Sequence, residues 1–161
     1  MPIQVNDTLP DMPLTVVDTH GQSKKSVKEV LGTGKVVLFA VPGAYTPTCS
    51  AQHLPSFVKN LDALKAKGVD TVACMSVNDA FVMEAWGKDG GAVEPGIVMV
   101  ADHDAAFSKA LDLTFDGSAF GLGVRSQRFA LIAEDGVVTQ LFVEEGGGYE
   151  VSSAENVLRH L

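Results

Sequence analysis

A chain of 161 residues, 46% hydrophobic and 20% charged, can bury roughly two thirds of its unfolded surface and needs neither disulfide nor metal to hold a core. Its net charge of −8 argues against a nucleic-acid partner, because only Lys24, Lys25 and Lys28 cluster, and they read as a solvated loop. No apolar run approaches the ~20 residues that cross a bilayer, and the opening MPIQVNDTLPDMPLTV has neither the basic nor the apolar region of a signal peptide.

The elements alternate along the chain, and nothing divides it, so one domain over 1–161 is expected. The N-terminal third is read as a small edge hairpin. Val36–Val41 (VVLFAV) is a buried strand. Pro47–Lys67 follows as one long helix, with Leu54, Phe57, Val58, Leu61 and Leu64 at helical spacing, a kink expected at Pro55 and a stop at Gly68. Thr71–Val77 is a second buried strand. Asn78 is expected to cap a helix through Trp86, Ile97–Ala101 to form a third strand, and Asp104–Leu111 a short helix. Thr114–Val124 (TFDGSAFGLGV) is glycine-rich, with Phe115 and Phe120. It is either an ordinary connection or part of a partner surface. Arg128–Ala133 and Val137–Val143 form a hairpin around Glu134-Asp135-Gly136. Ser152-Ser153-Ala154-Glu155 reads as a capping box for the last helix. This order predicts an α/β fold with a mixed sheet, helices on both faces and antiparallel final strands.

The chemistry concentrates at PGAYTPTC, residues 42–49. Thr46 suits an N-cap and Pro47 the first helical position, which puts Cys49 in the first turn. A thiol there faces unsatisfied N–H groups and the positive end of the helix, a setting that lowers thiol pKa values and favours the reactive thiolate. The sulfur is expected at the mouth of a pocket. Pro42 would stiffen the loop and shield the sulfur, and the Thr46 hydroxyl would reach the sulfur or a bound oxygen. Cys74, mid-strand between Ala73 and Met75, reads as a buried structural thiol. Two cysteines 25 positions apart and four scattered histidines fit no zinc spacing, and no metal or cofactor is expected. Sparse cysteines point to a reducing, cytoplasmic compartment. A thiolate acting on an oxidant needs a cation. Arg128, opening RFALIA, and Arg125 both qualify, and spacing alone does not choose. His53, one turn after Cys49, reads as a structural or supporting residue.

Pro42-x-x-x-Thr46-x-x-Cys49 resembles the active-site signature of peroxiredoxins. The stretches VLFAVPGAYTPTCSAQHLPSF, ACMSVNDAFVMEAWG and RSQRFALIAEDG are similar to the peroxiredoxin 5 subfamily, above all its plant type II branch. The resemblance runs from PIQVNDTLPD to VSSAENVLRHL. It implies a thioredoxin-like fold and reduction of hydrogen peroxide and alkyl hydroperoxides. Cys49 would be the peroxidatic cysteine, Thr46 the peroxide-binding threonine, Pro42 the shielding proline and Arg128 the active-site arginine. Phe120 and Gly121 fall where members make a dimer contact, which implies a non-covalent homodimer. Animal members carry a resolving thiol where this chain has Ser152, so an external thiol is implied: glutathione, glutaredoxin or thioredoxin. Two alternatives are a thiol–disulfide oxidoreductase and a non-catalytic redox sensor on the same fold. The first would want a cysteine at position 46, and the second would need neither Thr46 nor Arg128.

Overall fold

The computed structural model describes residues 1–145 and 148–161; Gly146 and Gly147 of the EEGGGYE stretch lie outside the described residues. The elements in chain order are β1 (Pro13–Asp18), β2 (Gly21–Ser26), α1 (Val27–Leu31), β3 (Lys35–Val41), a π-helical turn (Cys49–His53), α2 (Leu54–Lys59), α3 (Leu61–Ala66) and β4 (Thr71–Ser76). They continue with α4 (Ala80–Asp89), β5 (Val98–Ala101), α5 (Ala106–Leu111), β6 (Thr114–Asp116), β7 (Val124–Ser126), β8 (Phe129–Glu134), β9 (Val137–Val143) and α6 (Ala154–Arg159). Among the described residues no helix is long and apolar enough to cross a membrane.

One seven-stranded sheet runs in the order β2-β1-β5-β4-β3-β8-β9. β3, β4 and β5 are parallel, and β1, β2, β8 and β9 pair antiparallel at the two flanks. This is the mixed sheet with an edge hairpin that the pattern predicts. β3 is central and buried on both faces, which explains its unbroken apolar run. Val37, Phe39 and Val41 face a core shared with Leu54, Phe57, Leu64, Met83 and Trp86. Val36, Leu38 and Ala40 face the opposite core, shared with Val27, Leu31, Phe107 and Leu111.

Several helix starts differ from the sequence reading, each for a local reason. The long helix is broken. A π-turn occupies Cys49–His53, with Leu54 N–H donating to the Cys49 carbonyl, and Asn60 (φ −102°, ψ 9°) separates α2 from α3. Pro55 has no N–H to donate. The widened turn lies just before it, so the distortion falls ahead of the proline rather than at it. α4 is capped by Asp79, whose carboxylate accepts from Val82 N–H at 2.9 Å. Asn78 instead accepts from Ala44 N–H (3.0 Å) and the Ser76 hydroxyl (2.6 Å). The last helix is capped by Ser153, whose hydroxyl accepts from Asn156 N–H. Ser152 is buried and points elsewhere. The stretch from Thr114 to Val124 is more than a plain connection. β6 and β7 pair into a two-stranded ribbon tipped by a single 3₁₀ turn, Ser118–Phe120, which leaves Phe120 80% exposed.

Candidate active site

Three strand ends, those of β3, β8 and β9, meet at one end of the sheet. β3 pairs antiparallel with β8 through Ala40 and Phe129, so the start of β8 lies beside the end of β3. β8 pairs with β9 through Phe129 and Val143, and Glu144 N–H donates to the Arg128 carbonyl at 3.0 Å. Arg128 is therefore held between the loop that leaves β3 and the loop that leaves β9.

The loop after β3 carries Pro42, Thr46 and Cys49. Thr46 caps the helix with its backbone only, its carbonyl accepting from Ser50 N–H at 2.9 Å. Its hydroxyl does not accept from the helix as a capping side chain would. It donates to the Gly43 carbonyl at 2.6 Å. That bond uses the proton and leaves the lone pairs free to accept from a ligand. Pro42 is half-buried. Tyr45 stands in the left-handed region (φ 62°), an unusual backbone for a side-chain-bearing residue. The loop is tied down from α4 and its approach: Asn78 takes Ala44 N–H, Asp89 accepts from the Tyr45 hydroxyl at 2.6 Å, and Trp86 donates its indole N–H to the Ser50 hydroxyl at 3.0 Å.

Cys49 is 0% exposed. The expectation of a sulfur at a pocket mouth is thus corrected. From the π-turn it is buried in the core that also contains Leu54, Phe39 and Cys74. Arg128, 7% exposed, donates Nη2 to Cys49 Sγ at 3.1 Å and Nη1 to His53 Nδ1 at 2.9 Å. A guanidinium only donates, so Nδ1 must accept and the imidazole proton sits on Nε2. Nε2 then donates to the Ser152 carbonyl at 2.9 Å. Burial, reinforced by the Arg128 charge, lowers the His53 pKa from 6.5 to about 3, so the ring is neutral. The Tyr149 ring packs 5.2 Å from His53 and lies 6.0 Å from the Arg128 guanidinium carbon. The arrangement presents a fixed cation and a sulfur in a site shielded from water, where charge interactions are strong.

Arg125 goes elsewhere. Its guanidinium donates to the carbonyls of Leu122 (2.9 Å), Val77 (3.1 Å) and Pro42 (3.4 Å). It braces the Pro42 loop and does not bond to the sulfur. Of the two arginines left open by spacing, the structure brings Arg128 to Cys49. Cys74 lies mid-strand in β4, fully buried and free, and burial together with the neighbouring Cys49 pushes its thiol well above the usual range. Among the described residues no group of three or more His, Cys, Asp or Glu side chains could hold a metal ion. Glu144 and Tyr149 escaped the sequence reading. They lie about a hundred positions from Cys49 and belong to no local motif.

The redoxin family profile matches residues 4–158. The chain is 48% identical over 99% of its length to Peroxiredoxin-2E-2, chloroplastic, of Oryza sativa subsp. japonica, covering 72% of that protein. It is 45% identical to Peroxiredoxin-2B of Arabidopsis thaliana, with 99% of both chains covered. The chain belongs to the peroxiredoxins. Its architecture matches reduced Prx3 of Vibrio vulnificus in complex with H2O2 at a TM-score of 0.92 and 51% identity, covering 98% of each chain. This peroxiredoxin thus has the thioredoxin-like α/β fold of its relatives and is a thiol-dependent peroxidase with an antioxidant function.

Proposed function

We propose that Cys49 is the peroxidatic residue of a peroxiredoxin of the type II branch of the peroxiredoxin 5 subfamily, recycled by an external thiol. The Cys49 thiolate attacks the distal oxygen of a hydroperoxide, hydrogen peroxide or an alkyl hydroperoxide. The S–O bond forms as the O–O bond breaks. The proximal oxygen leaves with the electron pair, takes a proton and departs as water or alcohol, and Cys49 is left as a sulfenic acid. Thr46 accepts from the peroxide O–H, Arg128 stabilises the charge that moves onto the peroxide oxygens, and Pro42 keeps water off the sulfur. A first external thiol condenses with the sulfenic acid, releasing water, and a second frees Cys49 by exchange.

The observation that carries this reading is the Arg128 Nη2 bond to Cys49 Sγ at 3.1 Å beside a threonine whose lone pairs are free. Support also comes from the H2O2 complex of the Vibrio vulnificus relative and from the plant type 2 relatives. External resolution is favoured because Cys74 is held mid-strand between β3 and β5, so that turning it into a disulfide would disturb the centre of the sheet, whereas opening the first helical turn alone would bring the buried Cys49 to an external thiol. Glutaredoxin with glutathione, or thioredoxin, would supply it, and a reducing cytoplasmic compartment suits that supply. A thiol–disulfide oxidoreductase is disfavoured because Thr46 stands where its first cysteine would be.

We also propose a non-covalent homodimer. Phe120, Phe81, Val124 and Tyr45 are exposed apolar or aromatic side chains on the ribbon, α4 and the active-site loop. Such surface marks interaction sites when it is contiguous.

Peroxide consumption with glutathione plus glutaredoxin, or with thioredoxin and its reductase, tests the cycle. Turnover with at least one reductant, lost in Cys49→Ser, is expected. Near-normal turnover of Cys49→Ser would overturn it.

A further inference from the structure

Glu144 is a buried carboxylate, 7% exposed, at the end of β9. One oxygen, Oε2, takes three donors: Glu150 N–H at 2.8 Å, Ser152 N–H at 2.8 Å and the Ser152 hydroxyl at 2.6 Å. None of these donors serves a helix end, since α6 is capped by Ser153. Together they clasp Glu150 and Ser152 around one carboxylate.

The clasp fixes Ser152 on both sides. Its N–H and hydroxyl are held by Glu144, and its carbonyl is left facing His53 Nε2. A carbonyl can only accept a hydrogen bond, so it selects the Nε2–H tautomer of His53. The selected tautomer exposes the Nδ1 lone pair to Arg128 Nη1, and the second arm of the fork then meets Cys49 Sγ. The other tautomer would point N–H at N–H across this contact, and the guanidinium would have to turn away. The charged and titratable groups around the imidazole are Arg128, Glu144, Cys49 and Tyr149.

We propose that Glu144 is a positioning residue of the thiol site, acting through Ser152 to hold the His53 tautomer that orients Arg128. The inference rests on the role given to Arg128 under the proposed function. Glu144 touches neither sulfur nor peroxide. Its effect reaches the sulfur through a backbone carbonyl, an imidazole and a guanidinium in series. By analogy with the hydrogen-bond partners that orient metal-ligating side chains, its loss is expected to cost on the order of tenfold.

The test compares Glu144→Ala, Glu144→Gln and Arg128→Ala in the full chain. The first readout is stopped-flow oxidation by hydrogen peroxide, followed by the single tryptophan, Trp86, whose indole bonds the residue next to Cys49. The second is ¹⁵N-histidine NMR of the His53 tautomer, which a merely structural role would not move. The parent is expected to show one neutral Nε2–H tautomer. Glu144→Ala is expected to lose that single-tautomer signature and to slow oxidation about tenfold, with Glu144→Gln, which keeps an acceptor oxygen, restored to within about threefold. Should Glu144→Ala fail to fold, Glu144→Asp carries the same expectation, since it withdraws the carboxylate by one methylene and keeps the charge. If Arg128→Ala is slow but the alanine or aspartate variant reacts at the parent rate with unchanged His53 signals, the positioning role is overturned and the role of Arg128 stands. If Arg128→Ala itself reacts at the parent rate, both fall.

Discussion

Arg128 spans Cys49 and His53, with one guanidinium nitrogen 3.1 Å from the sulfur and the other 2.9 Å from an imidazole that cannot carry charge near neutral pH. The imidazole fixes the fork without competing with it for positive charge. Arg128→Ala is expected to slow sulfenic acid formation by ~10²–10³-fold, the usual loss when one donor leaves a preorganised oxyanion-type site. Arg128→Lys should recover only part of that, because an ammonium cannot reach two acceptors in a fixed plane. Single-turnover oxidation decides; a loss under threefold in the alanine variant would remove arginine from the mechanism.

Arg125 braces the active-site loop. Removing its guanidinium strips donors from the carbonyls of Pro42, Val77 and Leu122. Arg125→Ala is expected to lower stability by about 1–3 kcal/mol and to slow oxidation less than Arg128→Ala does. Urea unfolding together with the same kinetic assay separates the two effects.

Thr46→Val should slow peroxide reaction while Thr46→Ser retains most of it. Valine keeps the branched shape but lacks both the 2.6 Å bond to Gly43 and the free lone pairs. Equal rates for valine and serine variants would show that the hydroxyl plays no part.

His53 makes stability depend on pH. Its folded-state pKa is about 3 and its ordinary value 6.5, so in that window the unfolded chain binds a proton that the folded chain refuses. The sign follows: stability is complete above pH 6.5 and falls as pH drops toward 3, by up to about 1.4 kcal/mol per pH unit. Glu144 adds to the loss in a more acidic range. Burial alone would raise its pKa, but hydrogen bonds from Ser152 and Glu150 hold it below the ordinary carboxylate value of 4.5. In His53→Gln the drop between pH 6.5 and 4.5 should flatten. Denaturant unfolding at those two pH values measures it, and an unchanged slope would refute the assignment.

Cys74→Ala is expected to turn over at the parent rate with glutathione and glutaredoxin. Cys74→Ser is the poorer variant, since it puts a hydroxyl into a fully buried strand and costs about 1–3 kcal/mol if the hydroxyl finds no partner. Mass spectrometry after one equivalent of peroxide completes the test. A quantitative Cys49–Cys74 disulfide, with recycling lost in Cys74→Ala, would make Cys74 the resolving residue.

Phe120→Glu should convert the proposed homodimer to a monomer in sedimentation at micromolar concentration under reducing conditions. A parent already sedimenting near the 16.9 kDa chain mass would refute the dimer.

The strands of the main sheet, most helices and the thiol were legible along the chain because their signals are local, whereas the β6–β7 ribbon was not. VVLFAV is apolar at every position because β3 is covered on both faces, and Thr46-Pro47-Thr48-Cys49 marks a helix start whatever surrounds it. The π-turn, the break at Asn60 and the inward turn of Cys49 were not legible, because packing against β3 and α4 sets them and helical periodicity does not. Nor could spacing separate Arg125 from Arg128. Three positions apart, they part company only when β8 pairs with β3 and delivers Arg128 to the end of the strand that leads to Cys49. Glu144, Ser152 and Tyr149 reach the same place from the far end of the chain. Ser152 meets His53 through a hydrogen bond that spans 99 positions, and only the folded chain brings those partners to 2.9 Å, while Glu144 joins the site through its bond to Ser152.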